Sequence, residues 1–455
     1  MSATRRADPW VLCALALPLL AFLAKLFLIT RVFYAHGGTV ADVGFGFGDY
    51  AQNLLHGAGY RSCHTPPFTP CDPALCVYAT RMPALPYLLA GLAAVAGDSL
   101  VRIAVLKAAL LSLLVFGFLR LLTARVRPGP AGVLLLALAL LGPQVIKHSA
   151  VLDYEEGFIT ELMLCFGIAV GLALRDRSAR GADRVQLAAV ALLLAGTMYL
   201  MKTTLAPLLL LTALFALSSA EGARTRVALV ACALLFVAPL GAWWSYTGAV
   251  SGRATVSSSW NGENLFRGNN PESAAIYPDV SLDRVFDSRS AELDDHRVVA
   301  LGAWATRRCF ADEWQWNDYY AALGRDWLQQ HPGQALRFVA KKAHAFFIDV
   351  EPVPRRVSPV AGDVAYRGAE RWLGILWMAV ARLGALTLLG LCAWAAVRGQ
   401  RRALWPIGLL LAYAAPYVAV FTWQRHVVPA LVASLVLLCV QVARARHGDE
   451  AASAS

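Results

Sequence analysis

Long apolar runs alternating with short polar connections set the pattern of this chain. The runs cover residues 10–30, 100–122, 130–146, 157–174, 185–200, 204–218, 227–244, 372–397, 404–421 and 427–442. Most approach the roughly 20 apolar residues that carry a helix across a bilayer, and the shorter ones need tilt or local thinning. The pattern predicts an all-α polytopic membrane protein with about ten transmembrane helices. A further apolar segment, RMPALPYLLAGLAAVAG at 81–97, is short and has two prolines near its start. If it crossed, every later connection would change sides, so it is expected to lie at the outer interface or to re-enter.

Basic residues assign the sides, because short cytoplasmic connections retain Lys and Arg. Arg5 and Arg6, Arg120, Arg125 and Arg127, Arg175, Arg177, Arg180 and Arg184, Arg224 and Arg226, Arg398, Arg401 and Arg402, and Arg444 and Arg446 fall on alternate connections, which places them inside. Residues 31–95, 147–156, 201–203, 245–370 and 423–426 then face outward. The 245–370 connection is too long for a plain link and is expected to have structure of its own. Near its end, residues 332–348 set Arg337, Lys341 and Lys342 at helical spacing among apolar residues, as in a helix lying on a membrane surface. The expected organisation is a membrane module at 1–244 that includes an outer loop at 31–97, an outer region at 245–370, further membrane helices at 371–442 and an inner tail at 443–455.

Composition sharpens this picture. At 58% hydrophobic residues, the chain is too apolar for an ordinary soluble domain. Its formal net charge of +11 is spread over short loops without a basic stripe, which argues against a nucleic-acid partner. Of nine cysteines, Cys63, Cys71, Cys76 and Cys309 fall on outward segments where oxidation occurs, so a disulfide within the first loop is expected, with the pairing open. The others sit in apolar runs as small packing residues. Arg5 and Arg6 ahead of the first run also suit a secretory signal, but the run is long and lacks a small-x-small exit, so a retained helix is expected.

Chemistry must then be built from helix ends and outer loops. Two acidic groups lie there: Asp42 and Asp49 in ADVGFGFGDYAQNLLHGAGY, and Asp153, Glu155 and Glu156 in SAVLDYEEGF. Arg81, Lys147, Lys202, Arg425 and His426 share that face and suit a phosphate. Snorkelling at the interface is the plainer account of Lys147, and solvation of helix ends the plainer account of any single acid. GFGFG lacks a preceding strand, and GxxxxGK[ST], HExxH and CxxC are absent, which argues against an ATP-driven machine.

Several segments, in order, resemble the GT-C membrane glycosyltransferases, specifically the family 39-like group of protein O-mannosyltransferases and the lipid A aminoarabinose transferase. DVGFGFGDYAQNLLHGAGY is similar to their first-loop motif, TRMPALPYLLAGL to a basic-Pro-x-x-Pro juxtamembrane helix, and SAVLDYEEGFITEL to an acidic helix entry. SSSWNGENLFRGNNPESA and TWQRHVVPAL resemble later motifs, with His426 where Tyr is more usual and Val43 in place of an acid. The resemblance implies a multi-pass enzyme of the cytoplasmic membrane that works on its outer face. It would move a sugar from a polyprenyl-phosphate donor to a hydroxyl of a glycan, lipid or protein. Asp42 is then the expected base, with Asp49 as its alternative and Asp153 and Glu156 as further catalytic acids. Arg81, Lys202, Arg425 and His426 are expected on the donor phosphate, and Tyr50, Glu155, Asn261 and Asn269 on substrate. A divalent metal shared by Asp42, Asp153 and Glu156 stays open. The alternatives are a transporter or flippase, against which the lack of repeat symmetry counts, and a polymerase or ligase of lipid-linked saccharides.

Overall fold

The computed structural model describes residues 8–64, 66–175, 181–220, 223–279, 308–351, 369–420 and 422–445. The sequence-assigned Arg5, Arg6, Arg177, Arg180 and Arg446 lie outside these residues. Seventeen described helices follow one another: α1 (Pro9–Leu28), α2 (Phe47–Leu55), α3 (Ala84–Ala96), α4 (Leu100–Arg125), α5 (Gly129–Leu141), α6 (Pro143–Ala150), α7 (Glu156–Arg175), α8 (Gly181–Met201), α9 (Ala206–Ser219), α10 (Ala223–Ser251), α11 (Asn261–Arg267), α12 (Pro271–Ile276), α13 (Glu313–Gln330), α14 (Pro332–Phe347), α15 (Ala369–Val397), α16 (Leu404–Ala419) and α17 (Gln424–Val442). The described strands are a two-residue antiparallel ladder, Val126–Arg127 with Arg444–Ala445.

The protein is an all-helical, multi-pass membrane protein. Among the described residues, eight helical stretches are long and apolar enough to cross a membrane, α5 and α6 together making one of them. The runs at 204–218 and 404–421 form the shorter α9 and α16, and the segment at 81–97 yields the 13-residue α3. Local chemistry sets the boundaries. Asp8 caps α1 by accepting from the Trp10 N–H, with Pro9 in the first turn, where its missing N–H costs nothing. The break between α5 and α6 falls at Gly142, where a Cβ would come within 2.2 Å of the Trp377 indole nitrogen.

α7 and α17 form the buried centre of the bundle, while α1, α4, α9 and α15 turn Leu19, Leu113, Leu210 and Leu383 outward as a lipid-facing surface does. The central pair meets through small residues: a Cβ on Gly167 would lie 3.2 Å from the Ala433 carbonyl, and one on Gly171 3.0 Å from Val440. Such small-xxx-small contacts let helix backbones approach in a membrane.

At one end of the bundle, α2, α11 to α14 and the first loop form a cap. Disulfides Cys63–Cys76 and Cys71–Cys309 resolve the open pairing, the first within the loop and the second joining it to the segment before α13. Glu313 locks the same layers, accepting from the Tyr78 and Ala79 N–H groups and from the Ser259 hydroxyl. α14 coincides with the expected surface helix, yet Lys342 is fully buried. Its ammonium donates to the carbonyls of Gly268, Ala419 and Val420 and to Asn269 Oδ1, fastening α14 to α16.

Candidate active site

Beneath the cap, where the N-termini of α7 and α17 meet the C-terminus of α16, lies a cavity of about 520 Å³. Its walls include Phe45, Phe47 and Arg81 from the first loop, Asp153 to Glu156, Lys202, Trp260, Asn261, Arg267, Tyr417, Arg425 and His426.

The glycine-rich turn brings the first loop to the cavity. Phe45 and Gly46 take left-handed φ values of 58° and 79°, unusual for a phenylalanine. Gly48 must be glycine, since a Cβ there would lie 2.3 Å from the Val40 carbonyl oxygen. The turn then offers the Gly44 N–H to Asp153 Oδ1 at 2.8 Å and its Phe45 carbonyl to Arg81 Nε at 2.8 Å. The Arg81 guanidinium lies 3.7 Å from the Trp260 ring centre and 4.6 Å from that of Phe47. Burial lowers its pKa, a trend opposed first by Glu155. Arg81 Nη2 is buried without a hydrogen-bond partner among the described residues.

Opposite stands a charge hub. Glu156, in the first turn of α7, accepts from Lys202 and stands 3.1 Å from His426 Nε2 and 4.0 Å from Arg425 Nε. Arg425 also stacks over Tyr154 at 4.5 Å. Cations in the first turn of α17 oppose its helix dipole, and the Glu156 charge offsets that conflict.

Asp153 is held between these groups. Its loop is fixed by Lys107, whose ammonium donates to the Val151 carbonyl at 2.6 Å, and by the Leu152 N–H donating to the Tyr34 hydroxyl at 2.8 Å. Burial raises the Asp153 pKa above the usual aspartate range against the opposing Gly44 N–H and Lys107 charge. A buried carboxylate with a raised pKa accepts a proton more readily than an exposed one.

Of the residues singled out in the sequence, the fold gathers Arg81, Asp153, Glu155, Glu156, Lys202, Asn261, Arg425 and His426 around this cavity. The other five are placed elsewhere, Lys147 among them in the last turn of α6. Asp42 is exposed and closes a capping box, accepting at Oδ2 from the Thr39 N–H at 2.8 Å and hydroxyl at 3.0 Å. Asp49 lies in the first turn of α2, but Gly46 is the N-cap and the Asp49 carboxylate instead gathers Ser62, Cys63 and His64. Tyr50 is fully buried with its hydroxyl on Thr80, and Asn269 bridges Leu265, Ala419 and Lys342. Arg267, Trp260 and Tyr417 were not anticipated; the Arg of NLFRGNN and the Trp beside Asn261 were the available signals. Among the described residues, no group of three His, Cys, Asp or Glu is placed to hold a metal ion.

No family model and no curated protein matches the sequence. Among solved structures, the chain is similar to the Archaeoglobus fulgidus oligosaccharyltransferase AglB in complex with an inhibitory peptide and a dolichol-phosphate, at 15% identity and TM-score 0.42, with 94% of this chain and 50% of that one covered. The apo form of the Archaeoglobus fulgidus oligosaccharyltransferase gives 17% identity and TM-score 0.46, covering 97% and 51%. ArnT from Cupriavidus metallidurans bound to undecaprenyl phosphate gives 14% identity and TM-score 0.35, covering 95% and 78%. The chain thus spans about half the length of the oligosaccharyltransferases it matches. Both kinds of neighbour are of the GT-C class that the sequence motifs resemble, but likeness at these scores concerns helical layout and assigns this chain neither a family nor an activity.

Proposed function

We propose that this chain is a membrane glycosyltransferase that takes a sugar from a polyprenyl-phosphate donor and passes it to an acceptor hydroxyl on the outer face of the cytoplasmic membrane. One observation carries the reading: a single cavity at a helix-bundle end sets three Lys or Arg residues, Arg81, Lys202 and Arg425, beside three carboxylates, Asp153, Glu155 and Glu156, while Arg267 in the same wall is paired with Glu263. Fixed cations converging on one cavity suit a lipid phosphate, and a carboxylate beside them suits the acceptor's proton.

In this mechanism the donor phosphate is received by Arg81, Lys202 and Arg425. The acceptor oxygen attacks the anomeric carbon, and the bond from that carbon to the phosphate oxygen breaks. Asp153 takes the acceptor's proton, and the electron pair of the broken bond leaves with the phosphate, whose growing charge the cations stabilise. Glu156, whose Oε1 meets Lys202, Arg425 and His426, holds these groups in place. The sugar has already been activated on its lipid, so no nucleotide is required.

The test is a transfer assay with purified protein in lipid nanodiscs, radiolabelled undecaprenyl-phosphate hexose or pentose as donor, and cell-envelope extract as acceptor. The expected result is release of undecaprenyl phosphate with transfer of label to the acceptor, and loss of donor binding in Arg81→Gln. Donor consumption equal to that of protein-free nanodiscs, across hexose and pentose donors alike, would overturn the reading.

A further inference from the structure

A second cavity lies at the other ends of the same helices. Its walls come from the C-termini of α7, α15 and α17 and the N-terminus of α16, whereas the first cavity takes the N-termini of α7 and α17 and the C-terminus of α16. The 20 residues of α7 separate the two by about 30 Å, the thickness of a bilayer's hydrocarbon core. The second cavity, of about 970 Å³, is the larger, and lies near the upper end of the usual range for ligand sites.

Its chemistry is divided. Leu174, Leu391, Leu437 and Val440 make apolar walls, and Arg175, Arg401 and Arg402 bring positive charge. No carboxylate lines it among the described residues. Arg175 is committed to the Val440 carbonyl, which leaves Arg401 and Arg402 as the exposed cations. Gly399, at φ 86°, turns the chain out of α15 so that the next helical turn, Arg401–Ala403, presents both arginines together. On the outer side of α15, Trp394 and Val397 are 58% and 84% exposed, as on a helix facing lipid.

We infer that this cavity binds an acidic phospholipid of the adjacent leaflet, its phosphodiester on Arg401 and Arg402 and an acyl chain along the leucine walls. A small soluble anion would satisfy the arginines but leave the apolar walls uncovered, and a neutral lipid would do the reverse. Basic pockets between membrane helices hold anionic headgroups for this reason. The site is independent of the glycosyl-transfer reading.

Native mass spectrometry of the detergent-purified full chain tests the inference with phosphatidylglycerol and phosphatidylcholine of equal chain length, and with undecaprenyl phosphate as competitor. The parent is expected to retain phosphatidylglycerol about thirtyfold more tightly than phosphatidylcholine, as two arginines near a membrane surface would give. Arg401→Gln/Arg402→Gln should abolish the preference while melting at the parental temperature, and Arg401→Lys/Arg402→Lys should keep most of it. Ala395→Trp fills the cavity without touching the arginines and should weaken phosphatidylglycerol retention. The inference is overturned by a parent without preference, by a double Gln variant that keeps it, by unchanged retention in Ala395→Trp, or by undecaprenyl phosphate displacing phosphatidylglycerol at equal concentration.

Discussion

Asp42 and Asp49, the two aspartates of the glycine-rich loop, lie away from the cavity and hold Thr39 and residues 62–64, so the proposed base is Asp153. Asp153→Asn should keep the fold and donor binding but lower turnover by about a hundredfold or more, the usual cost of a lost general base. Asp42→Asn, which removes the charge of an exposed capping box but keeps an acceptor for the Thr39 N–H, should leave turnover near parental and stability within about 0.5 kcal/mol. Parallel transfer assays and melting curves separate the two, and the reverse order would return the base to Asp42. Because burial raises the Asp153 pKa, the acid limb of the pH–rate profile should lie above that of a free aspartate. Asp49 titrates the other way. Burial raises its pKa, but the bonds from His64, Ser62 and Cys63 outweigh burial and hold it below the usual value. A depressed folded pKa means stability that is present above the unfolded value and is lost as pH falls through the folded one. Asp49→Asn should therefore lower the melting temperature near neutral pH and flatten its decline below about pH 4. A variant with the parental pH dependence would show that this carboxylate is not what anchors residues 62–64.

At the scale of elements, membrane helices were legible because each carries its own apolar run. Pairing between helices was not, because it depends on small residues that hydropathy passes over. Gly167 and Gly171 look like ordinary apolar positions of α7, yet they set its distance from α17 and so bring Glu156 to Arg425 and His426. Gly167→Leu should force these helices apart, costing about 1–3 kcal/mol and lowering transfer. Gly117→Leu in α4, where a Cβ meets nothing within 4 Å, should do neither. Melting curves and transfer rates of the two variants check this. The candidate site was legible where charge meets an apolar boundary, as at Arg81, Glu156, Lys202 and Arg425. The sequence did not convey that Asp42, Tyr50 and Asn269 lie away from this cavity, because a cap, a buried hydroxyl and a bridging amide share their one-letter signature with a cavity-lining residue.

Across the whole molecule, the two cavities occupy opposite ends of one buried helix pair, and the cap over the first is stitched from distant parts of the sequence. Cys71 and Cys309 are 238 residues apart, with α4 to α10 between them. A chain that enters the membrane in order of synthesis cannot close this bond until residue 309 has reached the side where Cys71 waits. Until then the first loop has only its local Cys63–Cys76 bridge. The cap is therefore fastened late in biogenesis, after most membrane helices have been made, and the cavity beneath it is completed later still, when Tyr417, Arg425 and His426 emerge.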